Sequence, residues 1–351
     1  MPSGLVRDVA DLEPGVLAWM RHRHPERGGL RIDSLRHASA GLSNETVLVH
    51  AGWDDDTEPT TESLALRLPA LQMTFPDFDL RAQARVQRAV AAGGVPTPAP
   101  VALEEDQRWL GTPFLAMPFV AGQVGPQAPA FDPWLLGLRA DQQRGVADRF
   151  LDLLASLHQV DPTGGGLPPL LRGADATVAE EVEWWSAYVG WACEGDDVPT
   201  AVTELLAWCR TTCPAAAPPA SLLWGDPRLG NAIFDADQQI VAALDWDMAF
   251  VGPAEHDLAW YLGLDEVGAA LAGRRVPGFP SRGDAIARYE DRVGRRLVDF
   301  DWYEVFALVR SIAVAVRQSR LAAAAGVNYP VPAPEHNPVI PYVRELITRL
   351  G

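Results

Sequence analysis

The sequence contains no lysine, so all 29 of its basic residues are arginines. Proteins that bind phosphate groups often use the compact ammonium group of a lysine. Without one, this chain would use the planar, bidentate guanidinium of arginine at such a site, would do without a cation there, or would have no such site. A high-GC genome that avoids lysine codons explains the bias over the whole chain. It leaves unchanged the need for a cation at any phosphate-binding site.

Positive charge is also scarce, because 46 acidic residues outnumber the arginines and give a formal net charge of -17 at pH 7. A surface of this charge repels polyanions, which argues against nucleic acid or an anionic membrane as a partner. A solvated acidic face that keeps the protein soluble is the simpler explanation of the charge. Attraction of a cationic small molecule is the alternative.

Cysteines and long apolar runs are few. Cys193, Cys209 and Cys213 form an odd set without metal-ligand spacing, and we expect them to be reduced and structural. No apolar run reaches the roughly 18 residues of a membrane span, and the opening segment MPSGLVRDVADLEPG lacks the apolar core of a signal peptide. We therefore expect a cytoplasmic protein. Its 351 residues and 48% hydrophobic composition predict a sizeable core divided between two lobes.

The most informative pattern lies in WGDPRLGN at 224–231 and ALDWD at 243–247. The pattern places a base, Asp226, ahead of two residues with hard oxygen ligands, Asn231 and Asp245. Phosphoryl transfer with magnesium needs this set, because the first carboxylate takes the proton of the acceptor hydroxyl while the amide and the second carboxylate hold the metal. The pattern therefore predicts a kinase.

A surface turn is the alternative interpretation of this loop, because Asp, Gly, Pro and Asn also favour turns. Apolar segments on both sides favour the functional site: Leu222 and Leu223 precede the loop, residues 232–234 follow it, and residues 240–244 return to Asp245. The loop therefore opens a β-hairpin. This geometry can bring the three polar residues together.

The segment 221–262 resembles the catalytic core of the aminoglycoside phosphotransferase and choline kinase-like family, which has the protein-kinase-like fold. It is most similar to a bacterial branch related to the kinase domain attached to some acyl-CoA dehydrogenases. The resemblance implies an α+β, two-lobed fold. A small lobe at 1–121, with an antiparallel sheet and a helix, would bind the nucleotide, and a large, mostly helical lobe at 122–351 would carry catalysis and acceptor binding.

The resemblance also implies roles for individual residues. Asp226 falls on the catalytic base, Asn231 and Asp245 fall on the magnesium ligands, and Asp247 is expected to support a second metal. Arg228 is expected to stabilise charge on the γ-phosphoryl oxygens, with a loop-bracing salt bridge as the alternative.

Four further positions are expected to support the catalytic loop, to pack near it, or to differ from the family's usual residue. Trp224 stands where the family often has histidine, at a position that normally supports the loop. Asp257 is expected to brace the loop through backbone hydrogen bonds or to cap a helix, and His158 is expected to pack at a helix end. Gln83 stands where the family has a glutamate partner for the phosphate-binding base, and a neutral amide forms no ion pair.

ATP contacts are expected in the small lobe. Ser43 and Asn44 belong to a Gly-containing turn that can donate hydrogen bonds to phosphates. Arg67, in the alternating strand SLALRL at 63–68, falls on the family's phosphate-binding base, and a solvent-facing strand arginine is the alternative. Backbone groups around Met117 and Phe119 would bind adenine, although any buried edge strand fits the same pattern.

A helix at 177–193 carries Trp184, Tyr188 and Trp191 as an aromatic stripe, which favours packing over an acceptor-pocket wall. Its acidic residues could meet an ammonium group or face water: Glu180, Glu181 and Glu183. The leading hypothesis is an ATP- and Mg2+-dependent kinase for a hydroxyl of a small molecule, such as an antibiotic, an amino alcohol, a sugar or a hydroxyacyl thioester. A catalytically silent nucleotide-binding protein of the same fold is the alternative.

Overall fold

The computed structural model describes residues 6–38, 44–54, 60–162, 177–216, 218–326 and 337–350. The predicted nucleotide contact Ser43 lies outside these residues. Within them the chain forms ten α-helices and ten β-strands. The helices are α1 (Val9–Arg23), α2 (Leu80–Ala92), α3 (Pro133–Gly137), α4 (Ala140–His158), α5 (Val178–Ala192), α6 (Thr200–Thr211), α7 (Glu255–Ala272), α8 (Arg282–Val293), α9 (Phe300–Ala324) and α10 (Val339–Leu350).

The strands are β1 (Arg31–His37), β2 (Asn44–Trp53), β3 (Thr60–Pro69), β4 (Ala102–Glu104), β5 (Phe114–Pro118), β6 (Gln123–Val124), β7 (Ala220–Leu223), β8 (Ala232–Phe234), β9 (Ile240–Ala243) and β10 (Phe250–Pro253). Five of them form one sheet in the order β1-β2-β3-β5-β4, and all its pairings are antiparallel. A three-stranded sheet, β6-β8-β9, and the pair β10-β7 are separate.

The five-stranded sheet is covered on two faces because its strands alternate. Leu64, Leu66 and Leu68 of β3 are buried in one cluster with apolar residues of α1. Ala65 belongs to the other face, where Leu115 and Met117 of β5 pack against Leu80 and Ala84 of α2. Since side chains alternate along a strand, Arg67 lies on this second face with Ala65.

The described residues group into two compact units. The first contains the described residues of Met1–Ala84, Pro98–Phe119 and Leu321–Asn328, and the second contains those of Arg85–Thr97, Val120–Arg320 and Tyr329–Gly351. The first unit holds the five-stranded sheet with α1, and the second is mostly helical. The lobe boundary between residues 121 and 122 stays a prediction, as do the tasks assigned to the lobes.

The predicted hairpin of the second unit is confirmed. β8 and β9 pair antiparallel, and the turn between them holds Asp235, whose carboxylate accepts from the backbone N–H groups of Asp237 and Gln239 at 2.9 and 2.8 Å. α7 follows β10 closely along the chain, and α9 supplies a long buried face. None of the described helices combines the length and apolar character that crossing a membrane requires.

Candidate active site

The loop after β7 begins with a backbone turn that only glycine tolerates. Gly225 has φ +85, and a Cβ at this position would lie 1.9 Å from the carbonyl oxygen of Met248. A short 3₁₀ helix at Leu229–Asn231 closes the loop before β8. Asp226 and Asn231 therefore occupy opposite ends of one tightly constrained segment.

Three side chains hold the carboxylate of Asp226, which is 13% exposed. Asn231 donates its Nδ2 to the backbone carbonyl of Asp226 at 2.9 Å and to Oδ2 at 3.0 Å. The Arg228 guanidinium lies 3.0 Å from the same oxygen. The indole N–H of Trp260 donates to Oδ1 at 2.9 Å. The loop-bracing salt bridge considered for Arg228 is thus present, and its partner is the predicted base.

Burial raises the pKa of Asp226 above its usual value, and this is the largest influence on it. Arg228 opposes the increase, the nearby charge of Asp245 adds to it, and the hydrogen bonds from Asn231 and Trp260 oppose it. A carboxylate whose proton affinity is increased by its surroundings is better suited to accept a hydroxyl proton near neutral pH.

Asp245 lies two residues beyond the end of β9 and has φ +63, in the left-handed region that non-glycine residues seldom adopt. Its neighbour Leu244 donates its N–H to the Asn231 carbonyl at 2.8 Å and accepts the indole N–H of Trp224 at 2.8 Å. The hairpin therefore brings Asp245 to the loop of Asp226 and Asn231, as the sequence predicts. An outlying backbone held by defined contacts is typical of functional positions.

Trp224 ties the two segments together. Its ring stacks with Trp246 at a centroid distance of 5.3 Å and with Phe150 at 5.8 Å. Trp246 in turn donates its indole N–H to Thr97 Oγ1 at 3.1 Å. A neutral aromatic donor thus performs the supporting role predicted for this position. Asp247, the candidate ligand of a second metal, is half-buried two residues beyond Asp245.

Asp257 braces the loop from α7, which confirms one of its two predicted roles. Its fully buried carboxylate accepts the backbone N–H of Trp224 at 2.7 Å and that of Gly225 at 2.9 Å. His158, the last residue of α4, places Nε2 3.1 Å from the same carboxylate and Nδ1 2.5 Å from the Tyr289 hydroxyl. His158 is buried at a helix end as expected, and it orients Asp257 there.

A buried ionic cluster lies beneath the loop, and its connections were not predicted from the sequence. Arg310 of α9 is fully buried and donates to the Gly225 carbonyl at 3.2 Å and to Nδ1 of His256 at 3.3 Å. Glu181 of α5 lies 3.9 Å from Arg310 and 2.9 Å from His256. Because arginine only donates, Nδ1 of His256 accepts here, which places its ring proton on Nε2, facing Glu181.

The acidic residues of α5 all have protein partners. Glu180 forms the capping box with Thr177, and Glu183 pairs with Arg210 at 2.5 Å. Glu181 is buried against His256 and Arg310, so the alternatives of a wet face or an ammonium site are both wrong for this residue.

The nucleotide contacts predicted for the first unit stay predictions. Asn44 and Arg67 are both buried, at 7% and 8% exposure, so the solvent-facing alternative for Arg67 is wrong. Met117 is paired within the sheet opposite Ala65, and the Phe119 N–H donates to the Ser63 carbonyl at 2.9 Å.

Asn231 and Asp245 are the residues of the loop and hairpin that could hold a magnesium ion, although no group of three or more His, Cys, Asp or Glu side chains suited to a metal occurs among the described residues. Asn231 donates its amide nitrogen to Asp226, so its amide oxygen is the atom that could bind a metal. Asp245 adds a carboxylate whose charge already acts on Asp226. A divalent cation here would relieve that repulsion between two carboxylates, and hard oxygen ligands of this kind are the ones magnesium prefers.

The sequence model described as the phosphotransferase enzyme family matches residues 34–290 of this chain, which include every catalytic, nucleotide and metal residue predicted from the sequence. Acyl-CoA dehydrogenase family member 10 of Mus musculus is 29% identical over 177 residues, and family member 11 of Gallus gallus is 27% identical over 231 residues. These matches cover 50% and 65% of this chain. The chain spans 16% and 27% of the length of these relatives.

Solved structures show the fold. An aminoglycoside phosphotransferase-like protein from Ralstonia eutropha superposes with a TM-score of 0.72 at 21% identity, covering 96% of this chain and 98% of that one. A thermostable mutant of aminoglycoside phosphotransferase APH(4)-Ia, in a ternary complex with ADP and hygromycin B, gives 0.57 at 12% identity over 95% and 98%. The predicted α+β, protein-kinase-like fold is confirmed.

Proposed function

Because the chain belongs to the phosphotransferase enzyme family, we propose that it is an ATP- and Mg2+-dependent kinase that transfers the γ-phosphoryl group to a hydroxyl of a small molecule. The observation that carries this proposal is the environment of Asp226. Its carboxylate is largely buried, is held by Asn231, Arg228 and Trp260, and has a raised pKa.

Asp226 is the proposed catalytic base. It would accept a hydrogen bond from the acceptor hydroxyl and take its proton as the new bond to phosphorus forms. Arg228 is 39% exposed and already lies beside Asp226, which suits it to approach the transferring group as well. We propose that it stabilises negative charge there.

Asn231 and Asp245 are the proposed magnesium ligands, and Asp247 is the proposed support for a second ion. When bound, the ion would neutralise phosphate charge and polarise the transferring group. The contribution of the chain is to fix the two ligands. The Leu244 N–H bonded to the Asn231 carbonyl and the Trp224 indole bonded to the Leu244 carbonyl both do this.

For the nucleotide we propose Arg67 as the phosphate contact, since its guanidinium can bind two oxygens at once. Ser43 and Asn44 are proposed to approach the same phosphates. Backbone groups of Met117 and Phe119 are proposed to bind adenine. The contact of Phe119 would then use its carbonyl oxygen, because its N–H donates to Ser63. The ADP in the APH(4)-Ia complex supports nucleotide use by this fold.

A catalytically silent nucleotide-binding protein of the same fold is the second candidate. The observation that favours it is Gln83, a buried amide where related kinases place a glutamate. Its Oε1 has no hydrogen-bond partner among the residues that the structure describes. Without a carboxylate at this position, the cation that binds phosphate is not held by an ion pair from α2.

Nucleotide binding can be tested by thermal unfolding. Millimolar ATP with Mg2+ is expected to raise the melting temperature, because ligand at 100 times its Kd adds roughly 2.7 kcal/mol to stability. Arg67→Ala should lose most of this shift, and it should weaken ATP binding more than it lowers stability; the control is Arg36→Ala, an exposed arginine of β1. Asp245→Asn should weaken the additional effect of Mg2+.

An unmoved melting temperature with ATP and Mg2+ would count against both candidates. A shift without any ADP formation would favour the silent protein. Equal ATP-induced shifts in Arg67→Ala and Arg36→Ala would show that Arg67 does not contact the nucleotide, and an equal loss of ATP binding and of stability in Arg67→Ala would make Arg67 structural.

A further inference from the structure

We propose that Trp260 is a positioning residue that fixes the carboxylate of Asp226 for proton transfer, and that Arg310 holds the indole in place. The inference rests on the proposed function, in which Asp226 is the base. Trp260 belongs to the first turns of α7 and is 4% exposed.

The two oxygens of Asp226 have different partners. Oδ2 accepts from Asn231 and lies beside Arg228, each at 3.0 Å. Oδ1 accepts the indole N–H of Trp260 at 2.9 Å. The terminal torsion of an aspartate is broad, so a carboxylate held through one oxygen can still turn. The contact on Oδ1 removes that freedom.

Trp260 is better placed for this task than the partners of Oδ2. Asn231 is a proposed metal ligand, and Arg228 is a long side chain that is 39% exposed. The indole is a rigid ring with a single donor and no acceptor. It can therefore orient an oxygen without competing for the proton that Asp226 is to receive.

Arg310 connects this ring to the loop. Its guanidinium carbon lies 5.0 Å from the Trp260 ring centroid, and its Nη2 donates to the Gly225 carbonyl at 3.2 Å. One buried cation thus contacts both the residue that precedes Asp226 and the ring that binds it. Cation–π contacts are strongest where both groups are removed from water, as they are here.

Arg310 is itself contacted by residues of three other elements, α5, α7 and β10. Glu181 of α5 and His256 of α7 approach its guanidinium at 3.9 and 3.3 Å. Three further rings lie within 6.0 Å of it: Trp185, Phe250 and Phe306. The cluster therefore has little freedom to move, and neither does the ring of Trp260 above it.

The charged groups that act on Asp226 are Arg228, Asp245 and Arg310. Trp260 carries no charge and acts on Asp226 through one hydrogen bond, which orients the carboxylate and favours its ionised form. Its loss should leave nucleotide binding intact and slow the transfer step, whereas a residue needed only for folding would change stability.

The first experiment compares Trp260→Phe with Trp302→Phe. Phenylalanine keeps a ring over Arg310 and removes the indole N–H. Trp302 of α9 is also buried, and its Nε1 has no hydrogen-bond partner within the described part of the chain, so it reports the packing effect of the same substitution. We expect kcat to fall about tenfold in Trp260→Phe only, as for one lost hydrogen bond to a charged group, with KM for ATP unchanged in both variants.

The second experiment needs no activity. In protein labelled with 15N-tryptophan, the indole resonance that disappears in Trp260→Phe belongs to Trp260. Its N–H is expected to exchange slowly with solvent in the wild type and faster in Asp226→Ala, which removes the acceptor. An indole N–H exchange rate that is the same in the wild type and in Asp226→Ala would show that the contact is absent and would overturn the inference.

The two experiments separate failure of this inference from failure of the proposed function. Equal kcat values for Trp260→Phe and Trp302→Phe, in a wild type that transfers phosphate, would refute the positioning role alone. A wild type that transfers no phosphate, with a Trp260 N–H that still responds to Asp226→Ala, would refute the proposed function and the positioning role while leaving the contact.

Discussion

Asp226→Asn is expected to lower kcat by about 10²- to 10⁴-fold, the range in which a general base contributes. Asparagine keeps the shape of the side chain and can still accept from Trp260, but it cannot take a proton. Affinity for ATP should not change. The melting temperature should fall only modestly: burial already disfavours the ionised carboxylate, as its raised pKa shows, but the amide nitrogen replaces an oxygen that accepts from a neighbouring donor.

Steady-state kinetics and thermal unfolding check this prediction together. The control is Asp237→Asn, an exposed aspartate in the turn of the same hairpin, which should behave as the wild type in both measurements. A variant Asp226→Asn with unchanged kcat would show that proton removal by this carboxylate does not limit the reaction. A large loss of stability would instead make Asp226 a structural residue.

Asp257→Ala is expected to lower the free energy of unfolding by about 3 to 5 kcal/mol. The substitution leaves the buried N–H groups of Trp224 and Gly225 without their acceptor, and it removes the partner of His158. Each buried donor that loses its acceptor carries its own desolvation cost. Activity should be lost as well, since these two N–H groups belong to the loop that presents Asp226.

Urea unfolding measures this change. The control is Asp132→Ala at the N-terminus of α3, where the carboxylate accepts one backbone N–H, that of Leu135, at 2.9 Å in a half-buried site. It should cost only about 1 kcal/mol. Equal losses in the two variants would show that Asp257 acts as an ordinary helix-terminal aspartate and does not brace the loop.

The part of the site that the sequence predicts is local in the chain. The strands around residues 224–231, the hairpin and the position of Asp245 follow from alternation, turn residues and short distances along the chain. Asp257 could be predicted because it stands shortly after the hairpin at the start of α7. Its partner His158 was recognised as a packing residue, but the contact between the two joins distant segments.

The parts of the site that the sequence does not predict depend on which face of a helix is buried. The stripe of Trp184, Tyr188 and Trp191 on α5 is only partly correct, because Trp185 is buried at 1% exposure while Trp184 and Trp191 are half-buried. The inward face includes Glu181, whose burial depends on Arg310 and His256 from α9 and α7. Local periodicity predicts that a glutamate is exposed, because it contains no information on partners from distant segments.

Trp260 was missed for the same reason. The segment DLAWYL is apolar and helical, so its tryptophan is expected in the core, and it is indeed buried. Only the placement of α7 beside the loop turns its N–H toward Asp226. The available signal was chemical, because a buried indole usually has an acceptor for its N–H.

Formation of ADP tests the central claim most directly. The protein is incubated with ATP and Mg2+, with and without a panel of hydroxyl-bearing small molecules, and ADP and phosphorylated products are followed by mass spectrometry. We expect ADP formation by the wild type, more ADP with an acceptor that gains one phosphoryl group, and loss of both the ADP and the phosphorylated product in Asp226→Asn. ADP formation no greater in the wild type than in Asp226→Asn, with every acceptor and without one, would contradict it.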